Sequence, residues 1–192
     1  MAAQGRDLRP DNYAFVQTDV MQGLPLADAS FDFVHQRLLF LAIPTAQWPT
    51  LIKELVRVTR PGGWVELVEG SAIPPGSGPA MQMWGQWLST ASARRGIDFA
   101  QGSQIGRHLT QAGLARVRLH EVRMQAGRRF GRLGAMLEAN YMGILQAVKP
   151  QIVAARITSE ESYDAAIETI RGEIEAGQCF WHAFVAYGQR AQ

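Results

Sequence analysis

The clearest pattern of apolar and polar residues lies near the middle of the chain. Its apolar residues follow the helical spacing i, i+3, i+4, i+7 and i+8: Trp48, Leu51, Ile52, Leu55 and Val56. This spacing predicts an amphipathic helix that Pro61 stops. Gly62 and Gly63 supply the backbone freedom for a reversal into a strand at residues 64–68.

Further strands and helices alternate along the chain. Short β-prone runs predict strands at residues 12–20, 31–35, 116–124 and 179–188, and helical periodicity predicts helices at residues 80–93, 103–112, 133–148 and 163–174. The alternation predicts a single α/β domain over residues 1–192, with a mostly parallel sheet and helices on both faces.

Two local features refine this prediction. In the strand at residues 116–124 the apolar residues are odd-numbered before His120 and even-numbered after it. This change of face predicts a bulge or a twist near His120. Thr158 and Glu161 match a capping box and predict the start of a helix.

Composition narrows the class of protein. Hydrophobic residues make up 47% of the 192 and charged residues 19%, which is typical of a globular domain. A net charge of +2 is too small to indicate a nucleic-acid partner. Cys179 has no second cysteine to pair with and suits a reducing cytoplasm, and no apolar run approaches the ~20 residues of a membrane span.

Ligands of parallel α/β sheets bind at the carboxyl ends of the strands. That rule selects Asp19 and Val20, then His35, Gln36 and Arg37, and finally Glu69 with Gly70.

Three stretches of the chain together resemble one enzyme family. They read FVQTDV, LPLADASFDFVHQRLL and LIKELVRVTRPGGWVELVE, and RHLTQAGLARVRL is a weaker match farther along. They resemble the Rossmann-like S-adenosylmethionine-dependent methyltransferases that act on small molecules. The resemblance covers residues 12–70 closely.

The resemblance implies a cofactor site for S-adenosylmethionine. By position, Asp19 would accept a hydrogen bond from the adenine amino group and Val20 would complete the adenine pocket. His35 and Gln36 would line the methionine end. The alternative for Asp19 is a loop-capping carboxylate, and for His35 a core histidine with one nitrogen satisfied.

The family's glycine-rich loop after its first strand is absent from the sequence. The resemblance therefore implies an N-terminally incomplete domain that begins after the family's second strand. In the family's strand order, 3-2-1-4-5-7-6, this would leave a gap between the chain's first two strands and two uncovered sheet edges. The gap would reflect a longer natural protein, would be filled by a second chain in a homodimer, or would close by direct pairing of those strands.

Two residues are candidates for catalysis. Methyl transfer needs a general base only if the acceptor must lose a proton, and His35 and Glu69 are the candidates at the strand ends. His108, His120 and His182 follow as weaker ones, and the alternative for Glu69 is a solvated turn acid. Cys179 and His182 form C-x-x-H, too few ligands for zinc, so we expect no metal site.

A helical insertion at residues 126–177 separates the last two predicted strands. With the helix at residues 80–93 it is a candidate cap, and Trp84, Trp87 and Tyr141 are candidate substrate contacts. The alternative is that these aromatic residues are core. The base-modifying members of the family carry an aromatic Pro-Pro turn where this chain reads His-Gln-Arg-Leu, so we expect no nucleic acid.

The sequence therefore favours S-adenosylmethionine-dependent methyl transfer to an unidentified small molecule. The competing hypothesis is a catalytically inactive relative that acts as a dimerising or interaction module.

Overall fold

The computed structural model describes residues 10–192. Its four strands are β1 (Phe31–Arg37), β2 (Thr59–Gly70), β3 (Ala115–Gln125) and β4 (Phe180–Gln189). Its five α-helices are α1 (Trp48–Val58), α2 (Pro79–Ala93), α3 (Gln101–Gln111), α4 (Gly131–Ala154) and α5 (Glu160–Glu175).

The strands form one sheet in the order β1-β2-β4-β3. β1 and β2 are parallel, whereas β4 runs antiparallel to both of its neighbours, β2 and β3. This confirms the α/β class and matches the 4-5-7-6 part of the expected strand order. Three of the four strands point the same way, although only one of the three pairings is parallel.

The strand predicted at residues 12–20 does not form. Tyr13, Phe15 and Val16 are 50%, 59% and 52% exposed, and the segment carries no strand assignment. A β-strand needs a hydrogen-bonded neighbour, and the described chain pairs β1 on its β2 side only. The expected gap between a first and a second strand is therefore absent from this sheet.

Helices cover one face of the sheet. α1 packs on β1 and β2, and α3 packs on β2, β3 and β4. Burial along β2 alternates accordingly: Val65, Leu67 and Glu69 are fully buried beneath the helices, and the residues between them are partly exposed. The expectation of helices on both faces is thus met on one face only within residues 10–192.

The remaining helices pack on one another. α2, α4 and α5 each pack against the other two. The segment predicted as a cap, residues 126–177, contains α4 and α5. Tyr141 of α4 ties this group to the sheet, because its hydroxyl donates to the carbonyl of Phe180 at the start of β4 (2.6 Å).

The predicted bulge in β3 is misplaced. The register of β3 against β4 is continuous through His120, and it shifts between Ala115 and Arg118 instead. Apolar residues occur on both faces of β3 near His120 because β3 is an edge strand, in which Leu119 and Val122 are exposed.

The predicted cap of α5 is wrong by one residue. The N-cap is Ser159, whose side chain accepts from the backbone N–H of Ser162 (3.1 Å), so the capping hydroxyl is not that of Thr158. Both Ser and Thr are common at this position, with Ser somewhat preferred, and here the preferred Ser159 is the cap.

Candidate functional site

Two cavities lie at the edge of the sheet where β1 and β2 end. Because β4 is antiparallel, it begins at this same edge, and Gly70 at the end of β2 pairs with Ala183. One cavity follows β1, and the other lies beneath α2 and α4.

The larger cavity has a volume of about 460 Å³. Three of the residues predicted to bind the cofactor line it: Val20, His35 and Gln36. Apolar side chains from the loop before β1 and from α1 form the other walls, among them Leu24 and Leu51. This volume is in the range of small-molecule pockets.

Asp19 is not part of the cavity lining. Its carboxylate accepts from the backbone N–H of Met21 (3.0 Å) and from the amide of Gln22 (3.3 Å), and so caps the short helix Val20–Gln22. This is the loop-capping alternative. The cap presents the neighbouring Val20 to the cavity.

Gln36 has one unsatisfied atom. Its amide nitrogen donates to Glu69, but its buried Oε1 meets no donor among the described residues. A buried acceptor without a partner is costly. Since Gln36 lines the larger cavity, this atom is available to a donor on a ligand there.

Glu69 is fully buried and holds the chain that follows β1. Oε1 accepts from the backbone N–H of Leu39 (3.0 Å) and Oε2 from that of Phe40 (2.9 Å). Burial raises the pKa of this carboxyl above its usual value, although these hydrogen bonds and that of Gln36 oppose the shift. Glu69 is therefore neither a solvated turn acid nor open to a cavity.

The segment that Glu69 holds lies between the two cavities. Leu39 lines the larger one and Phe40 the smaller one. Removing the carboxylate would leave the backbone N–H groups of Leu39 and Phe40 without their acceptor. The segment that forms the wall between the cavities would then no longer be held in place.

His35 sits on the half-exposed face of the sheet. Its Nδ1 lies 2.9 Å from Oε1 of Glu66, the residue opposite it in the β1–β2 register, and its ring stacks on Phe33. His35 is therefore satisfied on one nitrogen and reaches the larger cavity from its rim.

The smaller cavity has a volume of about 40 Å³. Two of the predicted substrate contacts, Trp84 and Tyr141, line it together with Phe40 and Trp181. Trp87 does not; it stacks on Tyr163 at 5.9 Å instead. The space holds a few small groups, since one water needs roughly 10–15 Å³ by this measure.

The aromatic residues around this cavity are also core. Nε1 of Trp84 donates to the hydroxyl of Tyr163 (2.8 Å), which donates to the carbonyl of Leu145 (2.8 Å). Trp84, Tyr141 and Tyr163 are each at most 2% exposed. The same side chains thus join α2, α4 and α5 and close the cavity.

A histidine also lies in this wall. Nδ1 of His182 is 3.3 Å from Oγ of Ser71, and its Nε2 is 2.5 Å from Oε1 of Glu121. Ser71 and His182 both line the smaller cavity. Glu121 lies on β3, beside the start of β4.

The other two histidines line neither of these cavities. His108 stacks on Trp48 and contacts Gln101, and burial lowers its pKa. His120 stacks on Tyr187 on the half-exposed face of the sheet.

Cys179 is fully buried, which raises the pKa of its thiol to about 12. Within the described part of the chain, no three His, Cys, Asp or Glu side chains are placed to hold a metal ion. No helix of residues 10–192 is long and apolar enough to cross a bilayer.

The sequence reasoning ranked His182 low and missed Ser71 and Glu121. The strand-end rule considers where parallel strands leave the sheet, whereas His182 is at the beginning of an antiparallel strand. The C-terminal strand could have pointed to His182. Because this strand is antiparallel to β2, its first residues lie at the edge of the sheet where β1 and β2 end.

The family described as "Methyltransferase domain" matches residues 1–67. N-methyltransferase sirN of Leptosphaeria maculans is 29% identical over 142 residues, which cover 71% of this chain and 50% of that protein. Residues 1–67 of the chain are therefore similar to the methyltransferase-domain family. N-methyltransferase verN of Clonostachys rogersoniana is 40% identical over 72 residues, covering 37% of this chain and 25% of that protein.

Another relative extends the match farther along the chain. N-methyltransferase tcpN of Claviceps purpurea is 28% identical over 177 residues, covering 84% of the chain and 60% of that protein. The chain thus spans about half the length of the curated relatives it matches. Phosphoethanolamine N-methyltransferase 2 of Haemonchus contortus, solved with S-adenosyl-L-methionine, has a TM-score of 0.49 at 16% identity, covering 91% of this chain and 36% of that one.

Proposed function

We propose that the protein transfers a methyl group from S-adenosylmethionine to a nitrogen atom of a small, partly apolar molecule. The observation that carries this proposal is the pair of cavities separated by the segment that Glu69 holds. The cofactor and the acceptor must approach the transferred methyl group from opposite sides. The two cavities lie on either side of the segment that follows β1, which would allow this arrangement. The choice of nitrogen rests on the relatives, which are named N-methyltransferases.

The larger cavity is the proposed place of the cofactor. The lining fits it in part: apolar side chains beside Val20 suit an adenine ring, and the unsatisfied Oε1 of Gln36 suits the ammonium of the methionine end. Among the described residues, no carboxylate lines this cavity for the ribose hydroxyls. S-adenosylmethionine supplies an activated methyl group, and these residues would orient it.

The smaller cavity is the proposed place of the reacting end of the acceptor. Trp84 and Tyr141 exclude water from it, and methyl transfer gains from a dry site and fixed orientation. Trp87 would act on this site through Tyr163. With room for only a few atoms, the cavity would take the nitrogen and its nearest carbons.

His35 and Glu69 take supporting roles in this proposal. Glu69 is a positioning residue, because its two oxygens are committed to Leu39 and Phe40. His35 would contact the methionine end of the cofactor from the rim of the larger cavity. Nothing in the described chain supports the alternative of an inactive interaction module.

Two further properties belong to the proposal. The buried Cys179 suits a cytoplasmic protein. The outer edges of β1 and β3 have no strand partner in residues 10–192, which makes them candidates for a homodimer contact.

Calorimetric titration with S-adenosylhomocysteine tests the proposed function. We expect micromolar binding that Gln36→Leu weakens by about 1–3 kcal/mol, since it removes the unsatisfied acceptor. Asp19→Ala tests whether the cap also contacts adenine, and Asp32→Ala, an exposed acid paired with Arg60, is the matched control.

The outcomes separate clearly. Weaker binding by both Gln36→Leu and Asp19→Ala would support the full cofactor prediction, and an effect of Gln36→Leu alone would assign Asp19 to the loop cap only. Absence of heat with the wild-type chain would contradict the cofactor site.

A further inference from the structure

His182 is held between a carboxylate and a hydroxyl at the wall of the smaller cavity. Its side chain is 17% exposed, and its two ring nitrogens contact Glu121 and Ser71 on opposite sides. Ser71 also donates to the carbonyl of Ala72 (3.0 Å). A base within hydrogen-bond reach of a proton and oriented by a third group is the arrangement that proton-transfer sites require.

We infer that His182 is the base that takes the proton from the acceptor nitrogen, oriented by Glu121 and assisted by Ser71. The inference rests on the proposed function and assigns to it a residue other than His35 or Glu69. His35 is at the other cavity and bonded to Glu66, and Glu69 has both oxygens occupied.

The hydrogen bonds suit both protonation states of the imidazole. In the neutral ring, Nε2–H donates to Glu121 and Nδ1 has a free lone pair facing the Ser71 hydroxyl. In the imidazolium, Nδ1–H donates to Oγ of Ser71, whose own hydrogen goes to the carbonyl of Ala72. Gain of a proton therefore leaves no donor or acceptor of this group unpaired.

The proton and electron balance of the step is simple. The lone pair of the acceptor nitrogen forms the new bond to the methyl carbon, and the carbon–sulfur bond breaks with its electron pair left on sulfur. The proton on nitrogen moves to Nδ1 of His182, directly or through the hydroxyl of Ser71. The carboxylate of Glu121 stabilises the resulting imidazolium by a charge-assisted hydrogen bond.

The charged groups around His182 favour this role. Glu121 faces it from β3, Tyr141 of α4 lines the same cavity, and Glu69 on β2 is turned toward Leu39 and Phe40. Arg123 of β3 is directed elsewhere: its guanidinium stacks over the ring of Phe180 at 3.9 Å and donates to the carbonyl of Pro75.

Nitrogen-15 NMR of the histidine rings, with methylamine as the probe, tests the inference. Methylamine fits a cavity of this size and brings a nitrogen that carries protons. We expect the bound methylammonium to donate a hydrogen bond to Nδ1 of His182 and so to shift the resonance of that nitrogen, while Nε2 remains the nitrogen that donates to Glu121. Methanol, which is similar in size and has no basic nitrogen, serves as the control probe.

Variants give the readout that a merely structural histidine would not produce. Glu121→Gln keeps the shape but removes the charge, and we expect it to reduce the shift at Nδ1, because the ring loses its charge-assisted partner. Ser71→Ala is expected to reduce the response, and His120→Gln, at a histidine on the half-exposed face, to leave it unchanged.

Unchanged His182 resonances on addition of methylamine would overturn the inference, as would an equal response to methanol. Titration of the wild-type chain with S-adenosylhomocysteine, beside the methylamine experiment, keeps the two proposals apart. Normal cofactor binding with no response to methylamine contradicts only the base, and the reverse result contradicts only the cofactor site.

Discussion

Glu69 shows how one buried carboxyl group organises the site. It joins the end of β2 to the two residues that separate the cavities, and Gln36 completes its hydrogen bonds. Each of its oxygens accepts from a backbone N–H group that would otherwise be unpaired. The position of Phe40 against one cavity and Leu39 against the other therefore depends on a residue that touches neither ligand.

Glu69→Gln is expected to destabilise the fold by about 1–3 kcal/mol, because the new amide N–H group points at a backbone donor. The cost should depend on pH. The folded-state pKa of Glu69 is raised by burial, so its contribution to stability is fully present below the unfolded value of 4.5 and is lost as the pH rises through the folded value. Urea unfolding of both proteins across the acid-to-neutral range measures the difference.

Since all other groups titrate alike in the two proteins, the difference between them isolates Glu69. The gap in unfolding free energy should be largest at acid pH and narrow as the pH increases. A gap that widens with pH would show that the hydrogen bonds to Leu39 and Phe40 lower the pKa more than burial raises it.

The position of a residue along a strand predicted part of the candidate site. The hydrogen-bonding role of each side chain could not be predicted in this way. The strand-end rule selected His35 and Gln36, which line one cavity together with Val20, although the strand predicted before Val20 does not form. It misjudged the environment of Glu69, since the donors that it meets come from residues 39 and 40, about thirty positions earlier in the chain. Such long-range partners leave no periodic signal in the sequence.

At the scale of elements, a side chain from one helix caps another. Glu173 of α5 accepts from the backbone N–H groups of Ala80 (2.7 Å) and Met81 (2.9 Å) at the start of α2. Gly78 makes room for it, because a Cβ at that position would overlap the carboxylate. The N-terminus of a helix favours negative charge, so this contact fixes the helix that carries Trp84.

Glu173→Ala is expected to lower the free energy of unfolding by about 2–3 kcal/mol, because it leaves two helix donors unpaired in a buried place. Glu175→Ala, at an exposed acid two residues along the same helix, should cost much less. Denaturant unfolding of the two variants compares them, and equal losses would show that the cap contributes only through general helix propensity.

Sequence patterns located nearly every element, and the exceptions share a cause. The strand at residues 12–20 was predicted from β-propensity, and the bulge near His120 from the alternation of apolar residues. Both signals describe a strand that packs against neighbours. The first segment has no partner strand in residues 10–192, and β3 is at the edge of the sheet. Helix periodicity succeeded because it needs only one buried face.

The whole molecule has one protected and one half-exposed sheet face. Phe31 and Phe33 of β1 are 39% and 54% exposed beside an edge that pairs with no strand of residues 10–192, and Leu119 of β3 is 46% exposed at the opposite edge. Unpaired edges with apolar side chains favour pairing with another chain. The proposed homodimer would use one of these two edges.

Sedimentation velocity over a range of protein concentrations distinguishes the two edges. If β1 mediates the contact, Phe33→Lys should shift the protein toward the monomer, because it places a charge on the open edge, whereas Leu119→Lys should leave the distribution unchanged. The opposite pattern would assign the contact to β3. Both side chains are about half exposed, so neither variant should lose much stability, and thermal unfolding checks this. A wild-type chain that sediments as a monomer at every concentration would exclude the homodimer, and association that neither variant weakens would place the contact away from both edges.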